Sequence, residues 1–227
     1  PAYIRRLQAT AGQKFVSLDP DTVATEESYE VARLAVGGLL RAIDAVMTGE
    51  VDNAFALVRP PGHHAGAREA AGFCLLNNVA VGALYVMQKY GLDRVLIVDW
   101  DLHHGNGTQQ TFYEDPRVLY FSTHQYPAYP GTGALEETGR GEGSGYTVNV
   151  PIRSGADDAQ YVKMYRRILV PLARSFRPQL VLLSAGFDIY FQDPLGNMRV
   201  TPEGFAKLTR ILLSIADECC GGKLVAT

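Results

Sequence analysis

The stretch "RVLIVDW" at 94–100 runs directly into "DLHHGNGTQ" at 101–109. Its aliphatic run shows no polar alternation, which suits a strand buried on both faces of a parallel sheet. Four more short runs rich in Val, Leu, Ile and aromatics, most of them also without polar alternation, are "NAFALVR" (53–59), "RVLYFST" (117–123), "YTVNVPI" (146–152) and "QLVLLSAG" (179–186). Longer patterns with apolar residues at 3–4 spacing lie between them. Val31, Leu34, Ala35, Leu39, Ala42, Ile43 and Val46 form one such face, with Thr25 as the expected N-cap and Glu26 and Glu27 in the first turn. Residues 77–90, 157–176 and 202–218 read the same way. The last opens on Thr201-Pro202-Glu203, a good helix start, and Pro171 is expected to kink or split the 157–176 helix. Strand alternating with helix predicts a single α/β domain over 1–227, with helices on both faces of its sheet.

The totals narrow the function. A chain of 227 residues that is 47% hydrophobic can bury one sizeable core. Lysine and arginine number 21 against 24 acidic residues, and a net charge of −3 argues against direct nucleic-acid binding while leaving a small cationic substrate compatible. No apolar run reaches the roughly 18 residues of a membrane span, and no signal peptide opens the chain. Three cysteines, two of them the neighbours Cys219 and Cys220, make no disulfide framework, so a soluble protein of a reducing, cytoplasmic compartment is expected. Composition leaves oligomerisation open. The chain starts "PAYIRRL" and stops "GGKLVAT", with residues 223–227 reading as a strand just begun, so it is expected to be cut at both ends. Residues 139–145, "GRGEGSG", precede a strand instead of following one and opening a helix; they are expected to be a mobile surface loop, not a phosphate cradle.

The five histidines, His63, His64, His103, His104 and His124, all lie within residues 63–124. Strand alternation would put Asp99, Asp101 and His103 on one side, with Trp100 and Leu102 on the other. They follow a strand's carboxyl end, where open α/β sheets place their ligands, and "LVLLSAGFD" brings Asp188 to an equivalent position. Two carboxylates and one imidazole from two strand ends suit one divalent catalytic metal, zinc first, with iron, manganese or cobalt compatible. Helix caps and arginine bridges are the bland alternative for such aspartates. In "RPPGHHAG" (59–66) a stiff turn holds two adjacent imidazoles. Beside a metal they suit general acid–base work, given unequal partners such as Asp99 and Asn106 on their far nitrogens. His104 and His124 read as structural residues.

"RPPGHHA", "GFCLLNN", "DWDLHHGNGTQ", "PGTG", "VNVPI" and "SAGFDIYFQDPLG" resemble the zinc-dependent histone deacetylase family in its class II-like and bacterial branches, the group of acetylpolyamine amidohydrolases and acetoin-utilisation proteins. The resemblance runs from residue 53 to 205. It implies the arginase/deacetylase fold, a three-layer α/β/α sandwich around a parallel sheet. It also implies hydrolysis of an acetyl amide, in acetyl-lysine proteins or acetylpolyamines, with one Zn2+ per chain. On that resemblance the zinc ligands fall on Asp101, His103 and Asp188. The catalytic histidines fall on His63 and His64, as general base and acid, with Asp99 behind the first and Asn106 behind the second. Phe73 and Tyr129 would wall the acyl tunnel, with Gly72 among the substrate-binding residues and Asp21 at the rim. A monovalent cation, K+ in the family, would take main-chain oxygens of Asp99 and His103, the Asp101 carboxylate and Ser122. The family's "GGY" tyrosine is expected beyond Thr227. Two other functions fit less well: an arginase-type two-metal hydrolase, for which the next acid after Asp188 comes only at Asp193, and a non-catalytic acyl-lysine reader. No Gly-x-Gly-x-x-Gly opens a helix after a strand, which disfavours dinucleotide binding.

Overall fold

The computed structural model describes residues 2–227. In chain order the elements are α1 (Ala2–Gln8), β1 (Val16–Ser17), β2 (Val23–Ala24), α2 (Ser28–Met47), β3 (Asn53–Phe55), α3 (Asn78–Tyr90), β4 (Val95–Asp99), α4 (Asn106–Phe112), β5 (Val118–Gln125), β6 (Thr147–Ile152), α5 (Asp158–Met164), α6 (Val170–Phe176), β7 (Leu180–Ser184), α7 (Pro202–Cys220) and β8 (Leu224–Ala226). Six strands form one parallel sheet in the order β3-β8-β7-β4-β5-β6. β4 lies between β7 and β5 and pairs along its whole length, from Val95 opposite Leu180 and Val118 to Asp99 opposite Ser184 and Ser122.

The pleat of β4 sorts its side chains into two cores. Val95 and Ile97 join Leu39, Ile43, Val79 and Val86 beneath α2 and α3. Leu96 and Val98 join Tyr161, Tyr165, Leu212 and Ile215 beneath α5, α6 and α7. This is the three-layer α/β/α sandwich with a parallel sheet that the sequence predicts. Burial of each such aliphatic side chain contributes about 1.5–3 kcal/mol, so the run at 95–98 is a major part of what holds the layers together. A smaller cluster of Tyr3, Leu7, Leu18, Ala70 and Leu75 ties α1 and the β1–β2 ribbon to the segment leading into α3. There the Tyr3 hydroxyl donates to the Leu75 carbonyl at 2.6 Å.

Several local expectations need correction. Thr25 is not the cap of α2: its backbone N–H donates to Ser28 Oγ at 2.8 Å, so the chain makes a hydroxyl-closed turn first and the helix starts at Ser28. Thr201 does cap α7, accepting from Gly204 N at 3.2 Å. The 157–176 helix splits, as Pro171 predicts. Pro171 has no N–H for the Arg167 carbonyl, and the chain absorbs the missing bond in a π-helical turn over Tyr165–Leu169 before α6. Residues 139–145 are no slack loop. They form a 3₁₀ turn at Gly141–Gly143, and Arg140 N donates to the Tyr113 carbonyl at 2.8 Å. No helix of the described residues is long and apolar enough to cross a membrane.

Candidate active site

Asp99 closes β4 and is fully buried. The strand ends there, so Asp101 and His103 stand on the following bends and not on a strand as alternation supposed. Alternation survives because two aspartates fold the chain back on itself. Asp99 Oδ1 accepts from Asp101 N at 3.2 Å, and Asp101 Oδ1 accepts from His103 N at 2.8 Å. Trp100 and Leu102 consequently enter the α7 core while Asp101 and His103 turn to a cavity.

Asp188 arrives from the loop after β7, the strand next to β4, and its Oδ1 accepts from Leu102 N at 2.8 Å. One ligand atom each from Asp101, His103 and Asp188 falls within 4.8 Å of the others. His103 Nδ1 lies 3.1 Å from Asp101 Oδ1 and 2.9 Å from Asp188 Oδ2. Gly186 makes the approach possible: a Cβ there would sit 2.0 Å from Asp101 Oδ2. Neither lysine nor arginine pairs with these carboxylates, so the arginine-bridge alternative has no support among the described residues. Cationic character comes from histidine instead. Burial opposes a charge on His103, yet Asp101 and Asp188 raise it to about 10. Burial likewise opposes ionisation of Asp101, but His63 and His103 hold its carboxyl well below the usual range. Burial and the Asp101 charge push Asp188 up to about 6. An ionised Asp101 beside an imidazole and a second carboxylate with raised proton affinity, with no lysine or arginine as counter-ion, fits a divalent cation, and the donor set is of catalytic-zinc type. Among the described residues no second group of three such ligands occurs, as a two-metal hydrolase would need.

His63 and His64 lie on the loop after β3, their ring centroids 4.0 Å apart. His63 Nδ1 meets Asp99 Oδ2 at 3.0 Å, and His64 Nδ1 meets Asn106 Oδ1, at the start of α4, at 2.7 Å. The unequal partners separate the rings electrostatically. Burial disfavours a charged His63, but Asp101 and Asp99 overcome it and raise the ring to about 9. Burial, reinforced by the positive His63, takes His64 down to about 3. Tyr120 on β5 adds a contact that the sequence reading missed, donating to Asp99 Oδ2 at 3.2 Å. A signal was present: Tyr120, Ser122 and His124 carry polar groups at alternate positions of β5, with Leu119 and Phe121 apolar between and before them, which marks a face lined with polar partners.

Above these groups opens a cavity of about 450 Å³, lined by all five of the residues just described that face it, together with Phe73, Tyr129, Gly72 and Asp21. Phe73 sits at φ +67°, a left-handed conformation that is unusual for a large side chain, with its N–H held by Thr22 Oγ1 at 3.0 Å. Gly72 passes so close to His64 that a Cβ would lie 2.4 Å from its Cδ2. Tyr129 packs edge-on to His64 and His103, at centroid distances of 5.0 and 6.1 Å. Pro61 and the exposed Leu195 also line the cavity; the sequence reading had not picked out Leu195. Ser122 is brought beside Asp99 across β4–β5, with its hydroxyl 2.9 Å from His124 Nδ1. Grooves of about 840 and 990 Å³ along α7 and α4 are larger but gather no metal ligands, so size does not locate the chemistry.

A parallel sheet with carboxylates and imidazoles converging past its strand ends is an arrangement that suits a metal-binding enzyme site. The sequence profile of the histone deacetylase domain matches residues 1–227, and the chain belongs to that family. It is 45% identical over 224 residues to a probable deacetylase of Archaeoglobus fulgidus, covering 99% of this chain and 62% of the relative. It is 50% identical over 207 residues to the polyamine deacetylase HDAC10 of Rattus norvegicus, covering 88% of this chain and 34% of that one. The crystal structure of the HDA15 HD domain superposes with a TM-score of 0.94 at 45% identity, covering 99% of this chain and 64% of that one. The chain thus spans less than two thirds of the curated relatives it matches.

Proposed function

We propose that the chain forms the catalytic core of a zinc-dependent deacetylase that hydrolyses an acetyl amide to acetate and a free amine. One observation carries this: Asp101, His103 and Asp188 converge at a cavity beside two histidines of opposite proton affinity. A divalent cation held by those three residues would polarise the acetyl carbonyl and make an attacking water more acidic.

The chain's own groups supply the proton traffic. His64 donates from Nδ1 to Asn106 Oδ1, which leaves its Nε2 lone pair to take a proton from the water. His63 carries a proton on Nδ1 toward Asp99 and a second on Nε2, which it passes to the departing amine, the reverse of the base and acid order expected from the sequence. A cation held by Asp101 and Asp188 would offset their pull on His63. Asp99, on the far side of the ring, keeps its own. Phe73 and Tyr129 wall the approach and exclude water from an aliphatic arm, and Asp21 favours a cationic one. The substrate is therefore an acetylated lysine of a protein or an acetylated polyamine; relatives carrying both kinds of name support either.

The proposal extends to a monovalent cation, with potassium the family's ion, held by main-chain oxygens of Asp99 and His103, the Asp101 carboxylate and Ser122. Supporting it, His124 Nε2 faces a carbonyl, so the Ser122 hydroxyl hydrogen goes to His124 Nδ1 and its lone pairs are left for an ion. We place the protein in the cytoplasm, where a reducing milieu keeps thiols such as Cys74, Cys219 and Cys220 free, as they are here.

The test is acetate release by the whole gene product, loaded with zinc, from an acetyl-lysine peptide and from N-acetylated putrescine and spermidine. Preference for the peptide assigns a protein deacetylase; preference for the polyamines assigns small-molecule turnover. Release from neither, with one zinc bound, overturns acetyl hydrolysis and favours an acyl-lysine reader.

A further inference from the structure

His104 and His124 take no part in that chemistry, yet both are buried and every ring nitrogen has a partner. The directions of these bonds can be worked out from one end. Gln109 on α4 donates from Nε2 to Glu137 Oε2 at 2.5 Å, so its Oε1 is the accepting end. That oxygen receives Asn149 Nδ2 at 2.7 Å and His104 Nε2 at 3.0 Å. His104 therefore holds its proton on Nε2 and accepts from Thr132 Oγ1 at Nδ1, 2.8 Å away. His124 Nε2 faces the Gly133 carbonyl at 2.9 Å, which fixes its proton on Nε2 as well.

Glu137 closes the circuit. Its Oε1 accepts from Gly133 N and Ala134 N, both at 3.0 Å, while its other oxygen holds Gln109. One carboxylate thus ties α4, whose first residue Asn106 orients His64, to the loop at 131–134. Two residues upstream of that loop stands Tyr129, the ring packed against His64 and His103. Gly133 runs at φ +88° over the histidine pair, where a Cβ would lie 2.4 Å from His124 Nε2 and 2.7 Å from His104 Cγ. The loop is therefore seated on the pair with no room for a side chain at position 133.

We propose that Glu137, acting through Gln109 and His104, is a positioning residue: it fixes the Tyr129 wall relative to the His64–Asn106 couple and so sets how firmly the channel holds the aliphatic arm of an acylated amine. This rests on the deacetylase function proposed above. The carboxylate suits the task because it meets three N–H groups with acceptors only. An isosteric Gln must turn an NH2 group toward one of those donors and lose that side of the brace.

The test uses the zinc-loaded whole gene product. Glu137→Gln is expected to raise KM for an acetylated substrate about tenfold and to change kcat less, the scale on which loss of an orienting partner is felt. In a Tyr129→Ala background the same substitution is expected to add little, because the wall it positions is gone. Thr132→Val removes one hydroxyl from the chain, leaves Glu137 in place, and should shift KM the same way by less; it carries the test if Glu137→Gln does not fold. Amide hydrogen exchange, which needs no turnover, should quicken at 129–134 in Glu137→Gln and stay unchanged along β4. Without wild-type turnover the deacetylase function fails, and exchange alone then decides for or against the brace. With wild-type turnover, an unchanged KM and unchanged exchange, or losses that simply add to those of Tyr129→Ala, overturn the proposal.

Discussion

Two pairs of imidazoles in this molecule stack in nearly the same way and sit in opposite surroundings. His63 and His64 have centroids 4.0 Å apart and planes tilted by 48°; His104 and His124 lie 4.7 Å apart, tilted by 51°. Behind the first pair stand a carboxylate and an amide oxygen, and proton affinity splits to about 9 and about 3. Around the second pair stand hydroxyls, an amide oxygen and a carbonyl. Burial takes His104 to about 3, and pushes His124 down as well. Ring proximity therefore does not by itself split the proton affinities of a histidine pair. A charged group on one far nitrogen does.

The comparison can be broken in several ways, the most severe first. Asp188→Ala should reduce bound zinc from one per chain to none and bring acetate release to background, read by metal analysis of the purified protein. Retained zinc would remove the floor from under the first pair. Asp99→Asn keeps the shape behind His63 but removes its charge. Turnover is expected to fall about 10- to 100-fold, with the His63 titration moving to lower pH by NMR.

Acid should expose the second pair. In metal-free protein, a His104 held near 3 refuses a proton that the unfolded chain takes up below 6.5. Stability is thus expected to fall as pH drops from 6.5 toward 3, by roughly 2 kcal/mol at pH 5 for this ring. His63, raised to about 9, works in the other sense: its contribution is complete below 6.5 and is lost as pH rises through 9. His104→Gln cannot titrate and should lose less stability than the parent between pH 7 and 5 in urea melts. The smallest effect sharpens the first pair. Tyr120→Phe removes one of two hydrogen bonds to Asp99 Oδ2 and should lower turnover by a few-fold, about 1 kcal/mol or less.

The grouping of the candidate site was legible where its residues were close in sequence or followed strands. Asp101 and His103 come as one motif, Asp188 closes an equivalent apolar run, and the His63–Asp99 and His64–Asn106 partnerships appear at 3.0 and 2.7 Å as expected. The order of the sheet was not legible. β8 inserts between β3 and β7, and nothing in "KLVAT" says which neighbours its backbone will meet. Thr25 misled because a hydroxyl near a helix start reads as a cap whether it accepts from the helix backbone or, as here, meets only the Ser28 hydroxyl. Glu137 was invisible for another reason. Its three partners come from two segments, and only folding brings the amide of Gln109 to it.

The most direct measurement compares acetate release by the zinc-loaded whole gene product with that of His64→Ala, with zinc content determined for both. A neutral His64 acting as base predicts one zinc in each protein and turnover lower by about 10²- to 10⁴-fold in the variant. Near-normal, zinc-dependent turnover by His64→Ala would contradict it.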